Sequence, residues 1–276
     1  MKRLILAALI LCAGAARAQA LRFHASDSER VAEVPRDSVR NANGSVRVWS
    51  AGNWELLMRR IVPLAERWGR DERLRIAPGY LVALLVKESA GDSLAVSAAP
   101  ALGLAQLTAR TDADLRLMVT EWHFQWMAPE VDGWPRSSLI HGRAASAAQV
   151  DSLLRAGVVT ARTEYLFDPE RAARAAVFWV RLLENKWATD FWPGGDGPFA
   201  RRTLSGGAPL TEAQLIDLVT VCYNRGYIRV HELVARHGPA WTEHLDELGA
   251  DGAEARDYLE RVRAYTALFE GASPTR

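Results

Sequence analysis

Glu88 closes a nearly all-apolar stretch. It follows Leu81 to Lys87, seven residues of which six are apolar, and stands three positions before Gly91. A carboxyl group placed there meets two influences of the same sign. Low-dielectric surroundings disfavour its ionised form, and so does the negative end of a helix dipole. A carboxyl that keeps its proton near neutral pH is what a general acid requires. The same residue also reads as a surface glutamate ending a helix beside Lys87, and the local pattern alone leaves both readings open.

Four short motifs occur in order along the chain: Glu88-Ser89, then Gly103-Leu104-Ala105-Gln106-Leu107, then Tyr223-Asn224-Arg225-Gly226 with Val230, and last Arg256-Asp257-Tyr258-Leu259 with Val262. In that order they resemble the lytic transglycosylase family of the soluble (SLT) type, which reads E-S, G-L-M-Q, Y-N-x-G followed by a valine, and a late Y-V helix. No single motif is specific; the ordered set is. The resemblance covers residues 79–109, 168–183 and 216–265.

The resemblance implies a mainly α, lysozyme-like helical domain with a sugar-binding groove and an inserted segment. It implies cleavage of the β-1,4 bond between N-acetylmuramic acid and N-acetylglucosamine, leaving a 1,6-anhydromuramic end. One glutamate, Glu88 here, would protonate the glycosidic oxygen and then take the proton of the muramoyl C6 hydroxyl. Ser89 and Gln106 would hydrogen-bond the sugar or order the glutamate. Tyr223 would sit against Glu88. Asn224 would fix the turn after its helix or bind an acetamido group, and Tyr258 would line the groove. The bland alternatives are core aromatics with tethered hydroxyls for Tyr223 and Tyr258, helix-end or cap residues for Ser89 and Gln106, and a helix stop for Asn224-Arg225-Gly226. Gly103 and Gly226 read as structural.

A second carboxylate has no clear candidate. Two-acid glycosidases hold theirs roughly 5–9.5 Å from the first. Asp92 is nearest in sequence, yet it lies past the helix-ending glycine. A one-acid mechanism assisted by the substrate's acetamido group needs no such partner.

The chain departs from the family pattern in places. Ala105 replaces the usual methionine, Ala98-Ala99-Pro100-Ala101-Leu102 stands where S-x-x-G-A-x-G is frequent, and Cys222 precedes Tyr223 where a small residue is common. Cys222 reads as a buried apolar position rather than a reactive thiol. Gln106 to Asp168 spans 62 positions, long for a minimal member. That excess carries Trp122, Phe124, Trp126 and Trp134, with His123 and His141. The aromatics suit a groove wall for sugar faces or the core of a small subdomain; the histidines have no metal spacing.

These residues need helices to position them. Trp54, Leu57, Met58, Ile61, Leu64 and Trp68 form an amphipathic stripe, with Pro63 expected to bend it. Tyr80 to Ser89 predicts a buried helix bracketed by Pro78 and Gly91. Asp168-Pro169-Glu170 is a helix start, and Ala172, Ala176, Trp179, Val180 and Leu183 mark its buried side. Thr211 and Gln214 have capping-box spacing before Leu215, Leu218, Val219 and Cys222. Tyr258, Leu259, Val262, Tyr265, Thr266 and Phe269 mark a last helix. Segments 110–165, 188–210 and 236–252 break the rhythm and read as loops or additions. Val46 to Val48, with Trp49, is a possible short strand within a loosely packed lead-in over 21–50. The main domain is expected over 51–276, with an insertion at about 110–165.

The first twenty residues predict export. Lys2 and Arg3 precede the apolar run Leu4 to Ala16, and Ala18-Gln19-Ala20 offers a cleavage site after Ala20, with Ala18 as a nearby variant. A permanent anchor needs roughly 17–25 apolar residues, and Leu9-Ile10-Leu11 before Cys12 lacks the small residue of a lipobox. The expected location is the periplasm or cell envelope. Removing Lys2, Arg3 and Arg17 from the 34 basic residues leaves 31 against 33 acidic ones. That balance supplies no basic field for nucleic acid or an anionic membrane. Only Cys222 then remains, so no internal disulfide forms. With no CxxC, HExxH or calcium-loop spacing, neither metal nor cofactor is expected. Peptidoglycan glycan strands are the expected partner of a monomer. A lysozyme-like muramidase of the goose type and a catalytically silent peptidoglycan-binding module are the competing readings.

Overall fold

The computed structural model describes residues 38–40, 46–48, 56–71, 76–97, 99–121, 144–160, 162–188 and 211–270. The signal peptide expected over 1–20, Trp54, and the aromatics and histidines between Trp122 and His141 lie outside them. The described chain is mainly helical, as the sequence predicts, and divides into two units. Among the described residues no helix is long and apolar enough to cross a membrane.

The first unit comprises Met1–Leu107, Arg136–Ala173 and Tyr265–Arg276. Its small antiparallel hairpin pairs β1 (Ser38–Arg40) with β2 (Val46–Val48), Val39 standing opposite Arg47. The expected strand thus exists, and its partner is a stretch whose polar composition gave no strand signal.

A π-helical turn, Leu57–Ile61, leads into α1, Val62–Arg70. Pro63 is the second residue of α1 and has no N–H for the ladder, so the wider turn immediately before it is where the hydrogen bonding changes. Leu57, Ile61, Ala65 and Trp68 are buried along one side. That face packs against α2, Pro78–Ser89. Proline opens α2 where a missing N–H costs nothing. Leu81, Val82, Leu84, Leu85 and Val86 are then all essentially inaccessible, each contributing about 1.5–3 kcal/mol of burial. The rest of this unit includes α4 (Ala144–Arg155), a 3-10 turn (Glu164–Phe167) and the start of α5 (Pro169–Ala188).

The second unit comprises Thr108–Pro135 and Arg174–Ala264. It contains α3 (Ala109–Glu121), the rest of α5, α6 (Glu212–Arg225), α7 (Tyr227–His237), a kinked 3-10 segment (Gly238–Asp251) and most of α8 (Gly252–Phe269). The helix α4 and all of α3 but its first residue fall inside 110–165, and 236–252 is largely 3-10. Helical structure therefore enters two stretches whose periodicity had marked them as irregular.

The caps follow the sequence. Asp168 Oδ1 accepts from the N–H groups of Glu170 (3.0 Å) and Arg171 (3.2 Å) at the head of α5. Thr211 and Gln214 form the reciprocal capping box of α6, Thr211 N donating to Gln214 Oε1 and Gln214 N to Thr211 Oγ1. Leu218, Val219 and Cys222 are buried on α6, with Leu215 half-buried. Arg263 of α8 holds Asp217 of α6 through two contacts, of 2.8 and 2.5 Å.

Candidate active site

The end of α2 sets the exposure of Glu88. Every residue from Gly79 to Val86 is buried, and so is Ser89; only Lys87 and Glu88 in the last turn are half-buried. Glu88 is thus the carboxylate carried where a submerged helix surfaces. Ser89 Oγ donates to the Leu85 carbonyl at 3.1 Å, and Ala90 N donates to Val86 O. Ala90 itself adopts the left-handed conformation (φ 52) and Gly91 follows with φ 75, which turns the chain sharply away from the helix axis. Asp92 lies in the loop beyond, where its Oδ1 accepts the Leu94 N–H at 2.8 Å.

That loop returns as the Gly103-Leu104-Ala105-Gln106 motif. Gly103 N donates to Ala95 O at 2.8 Å, and Leu102 makes isolated bridges with both Val96 and Leu107. Gln106 has a positive φ of 48, strained for a non-glycine residue. Its side-chain Nε2 donates to Gly103 O (2.8 Å) and Ala95 O (3.2 Å), clamping the two strands of the loop. Leu104 and Ala105 are fully buried, so in this chain the position of the family's methionine does not reach solvent. The α3 helix follows immediately, with Thr108 Oγ1 accepting the Thr111 N–H at 3.1 Å as its cap.

Glu88, Ser89 and Gln106 belong to the first unit; Tyr223, Asn224 and Tyr258 belong to the second. Tyr223 and Asn224 occupy the last turn of α6, which stops at Gly226 (φ 84, ψ 146). Both are half-buried, yet Asn224 Oδ1 is fully enclosed and has no hydrogen-bond partner among the described residues. Arg225 pairs with Glu254 at 2.6 Å. Tyr258 is buried, at 3 % exposure, on α8.

Cys222 lies one position before Tyr223 and is buried, as its surroundings in the sequence suggested. Burial pushes its thiol up to about 12, against smaller opposing effects of the Trp187 indole N–H, which donates to Sγ at 3.4 Å, and of Lys186. A thiol so disposed is not a nucleophile near neutral pH.

Sequence reasoning missed the group around it. The Trp187 ring lies 5.2 Å from that of Tyr227 and 6.3 Å from that of His231, and Lys186 Nζ stands 4.6 Å over Tyr227. Desolvation raises the Tyr227 hydroxyl and lowers both Lys186 and His231. The signal available was Tyr227 itself, directly after the Tyr223-Asn224-Arg225-Gly226 motif.

No curated protein and no solved structure matches the chain. Residues 69–131 match the family model described as the transglycosylase SLT domain. The matched stretch takes in α2 with Glu88, the Gln106 loop and α3. This stretch is therefore similar to the SLT domain of lytic transglycosylases, of the lysozyme-like superfamily.

Proposed function

We propose that this protein is a peptidoglycan lytic transglycosylase, cutting the β-1,4 bond between N-acetylmuramic acid and N-acetylglucosamine, with Glu88 as its one catalytic acid and base. The observation that carries the reading is the position of Glu88: the half-buried carboxylate at the surfacing end of a buried helix, inside the SLT match.

In the first step the Glu88 carboxyl gives its proton to the glycosidic oxygen as the C1–O bond breaks. The muramoyl acetamido group holds the cationic centre. Glu88, now a carboxylate, takes the proton of the C6 hydroxyl while that oxygen bonds to C1. The acid is regenerated, no water is consumed, and the product is a 1,6-anhydro sugar. General acid and base assistance of this kind contributes about 10²–10⁴-fold.

Supporting roles rest on local geometry for Ser89 and Gln106 and on the motif resemblance for Tyr223, Asn224 and Tyr258. Ser89 holds the end of α2 through the Leu85 carbonyl, which fixes the backbone that carries Glu88. Gln106 clamps its loop through Nε2, leaving the amide oxygen to face the glutamate or a sugar hydroxyl. By the motif resemblance Asn224 takes an acetamido group, and Tyr223 and Tyr258 serve the glycan-binding groove. The protein acts as an exported monomer on glycan strands in the periplasm or cell envelope.

Mass spectrometry of the soluble products from digested sacculi tests this. The wild-type chain releases muropeptides ending in 1,6-anhydromuramic acid, which borohydride does not reduce. Glu88→Gln lowers release by about 10²–10⁴-fold while sacculus binding persists. Reducible ends instead mean a water-using muramidase. Equal binding with no release by either protein means a silent glycan-binding module.

A further inference from the structure

The position that the Y-N-x-G pattern leaves open is filled here by Arg225. It is the last residue of α6, directly after Tyr223 and Asn224. Its side chain is only 10 % exposed, and its Nη2 stands 2.6 Å from Glu254 Oε2, in the first turn of α8. Tyr258 follows Glu254 by four positions, one helical turn along the same face. A single ion pair thus joins the turn that carries Tyr223 and Asn224 to the turn that precedes Tyr258.

Exposed ion pairs ordinarily contribute little. Two features set this one apart. Arg225 is nearly enclosed while Glu254 is 64 % exposed, so without that carboxylate the cation keeps its charge in a poorly solvated place. The backbone that carries Glu254 is also anchored. Arg256 Nη1 donates to the Thr242 carbonyl at 3.3 Å and Nη2 to the Glu243 carbonyl at 3.4 Å, which fixes the start of α8 to the 3-10 segment. A second tie between the two helices, Arg263 to Asp217, lies away from the motif, since Asp217 precedes Tyr223 by six positions or about 9 Å of helix rise. The order of the two ties makes α6 and α8 antiparallel.

We propose that Arg225 and Glu254 are positioning residues for the glycan groove. Their ion pair sets the separation of Tyr223 and Asn224 on α6 from Tyr258 on α8, and with it the fit of an aminosugar unit against these side chains. The proposal rests on the glycan reading of those three residues. Neither member of the pair touches the sugar; both act through the residues they hold in register.

Calorimetric binding of peptide-free glycan strands to the Glu88→Gln chain tests the pair apart from catalysis. In that background Glu254→Gln and Arg225→Met each raise Kd by about tenfold, and the double variant is no weaker than either alone, as for two groups that act as one unit. Asp217→Asn, which breaks the other tie, lowers the melting temperature about as much as Glu254→Gln yet leaves Kd unchanged. A merely structural pair would make Kd follow the melting temperature in all of them. In the active chain Glu254→Gln raises KM for muropeptide release more than it lowers kcat. An unchanged Kd in Glu254→Gln, additive losses in the double variant, or an equal loss in Asp217→Asn overturns the proposal and leaves the transglycosylase reading standing. A Glu88→Gln chain that binds no glycan overturns both.

Discussion

The backbone carbonyl of Leu166 occupies the space that a side chain on Gly103 would need: a Cβ built at 103 stands 1.7 Å from that oxygen. The motif loop beside Gln106 is thereby pressed onto the 3-10 turn Glu164–Phe167 at backbone distance, within the first unit. Gly103 is required twice over, since its φ of 67 also lies in the left-handed region.

Gly103→Ala therefore combines backbone strain with an overpacked contact. Overpacking a core costs about 1–3 kcal/mol and a disfavoured backbone conformation about 1–3 more. A loss of at least about 2 kcal/mol is expected, which lowers the melting temperature by roughly 4–8 °C. Thermal unfolding by circular dichroism measures it. A melting point unchanged within about a degree would mean that the loop and the turn separate freely.

The thiol of Cys222 makes a prediction about alkaline pH. Burial, the largest influence, raises it to about 12 in the folded chain, while the unfolded thiol ionises near its ordinary value of 9.0. Below that value both states hold the proton and the folded state carries no penalty. Between about 9 and 12 the unfolded chain releases the proton first, so stability falls as pH rises through that window. The loss approaches about 4 kcal/mol at its upper end. Urea unfolding across pH 8–11 checks the slope, which Cys222→Ala flattens. At pH 8 a thiol reagent should label Cys222 only after denaturant is added.

What the sequence made legible is local. The proline at 78, the Asp168 cap and the Thr211–Gln214 box each depend on neighbours within four positions, and each appears as expected. The apolar run before Glu88 is buried for the same reason, since a helix without a polar face has no surface to offer water. The α3 helix was missed because ARTDADLRLMVTE is dominated by polar residues and lacks a strong apolar stripe. The Ser38–Arg40 strand has no local signature. It depends on pairing with Val46–Val48. Structure that needs a partner elsewhere in the chain is invisible to periodicity.

Asp168 is the cap whose removal should be felt most. It is fully buried, accepts two backbone N–H bonds, and follows directly on the turn that Gly103 packs against. Asp168→Ala loses the cap, about 0.5–2 kcal/mol, and the favourable charge at the positive helix end, about 0.3–1 kcal/mol. Asp168→Asn keeps an accepting oxygen and loses only the charge. Alanine should therefore lower the urea midpoint more than asparagine does. Equal effects would show that charge, not hydrogen bonding, secures the start of α5.

Asn224 separates a binding role from a structural one by the sign of its effect on stability. Its Oδ1 is enclosed and unpartnered among the described residues, and an unmet buried polar group costs about 1–3 kcal/mol. If the amide is turned over, the unmet atom becomes a nitrogen donor and the penalty has the same sign. Asn224→Ala removes that penalty at the price of a small void, so the melting temperature should hold or rise by a few degrees. A structural helix stop would predict a fall. If the amide instead waits for the acetamido group of the glycan, the same variant raises KM for muropeptide release roughly tenfold, about 1.4 kcal/mol of lost hydrogen bonding, and leaves kcat less affected. Parallel melting curves and release kinetics on sacculi decide it: a stable variant with unaltered KM removes Asn224 from the glycan site.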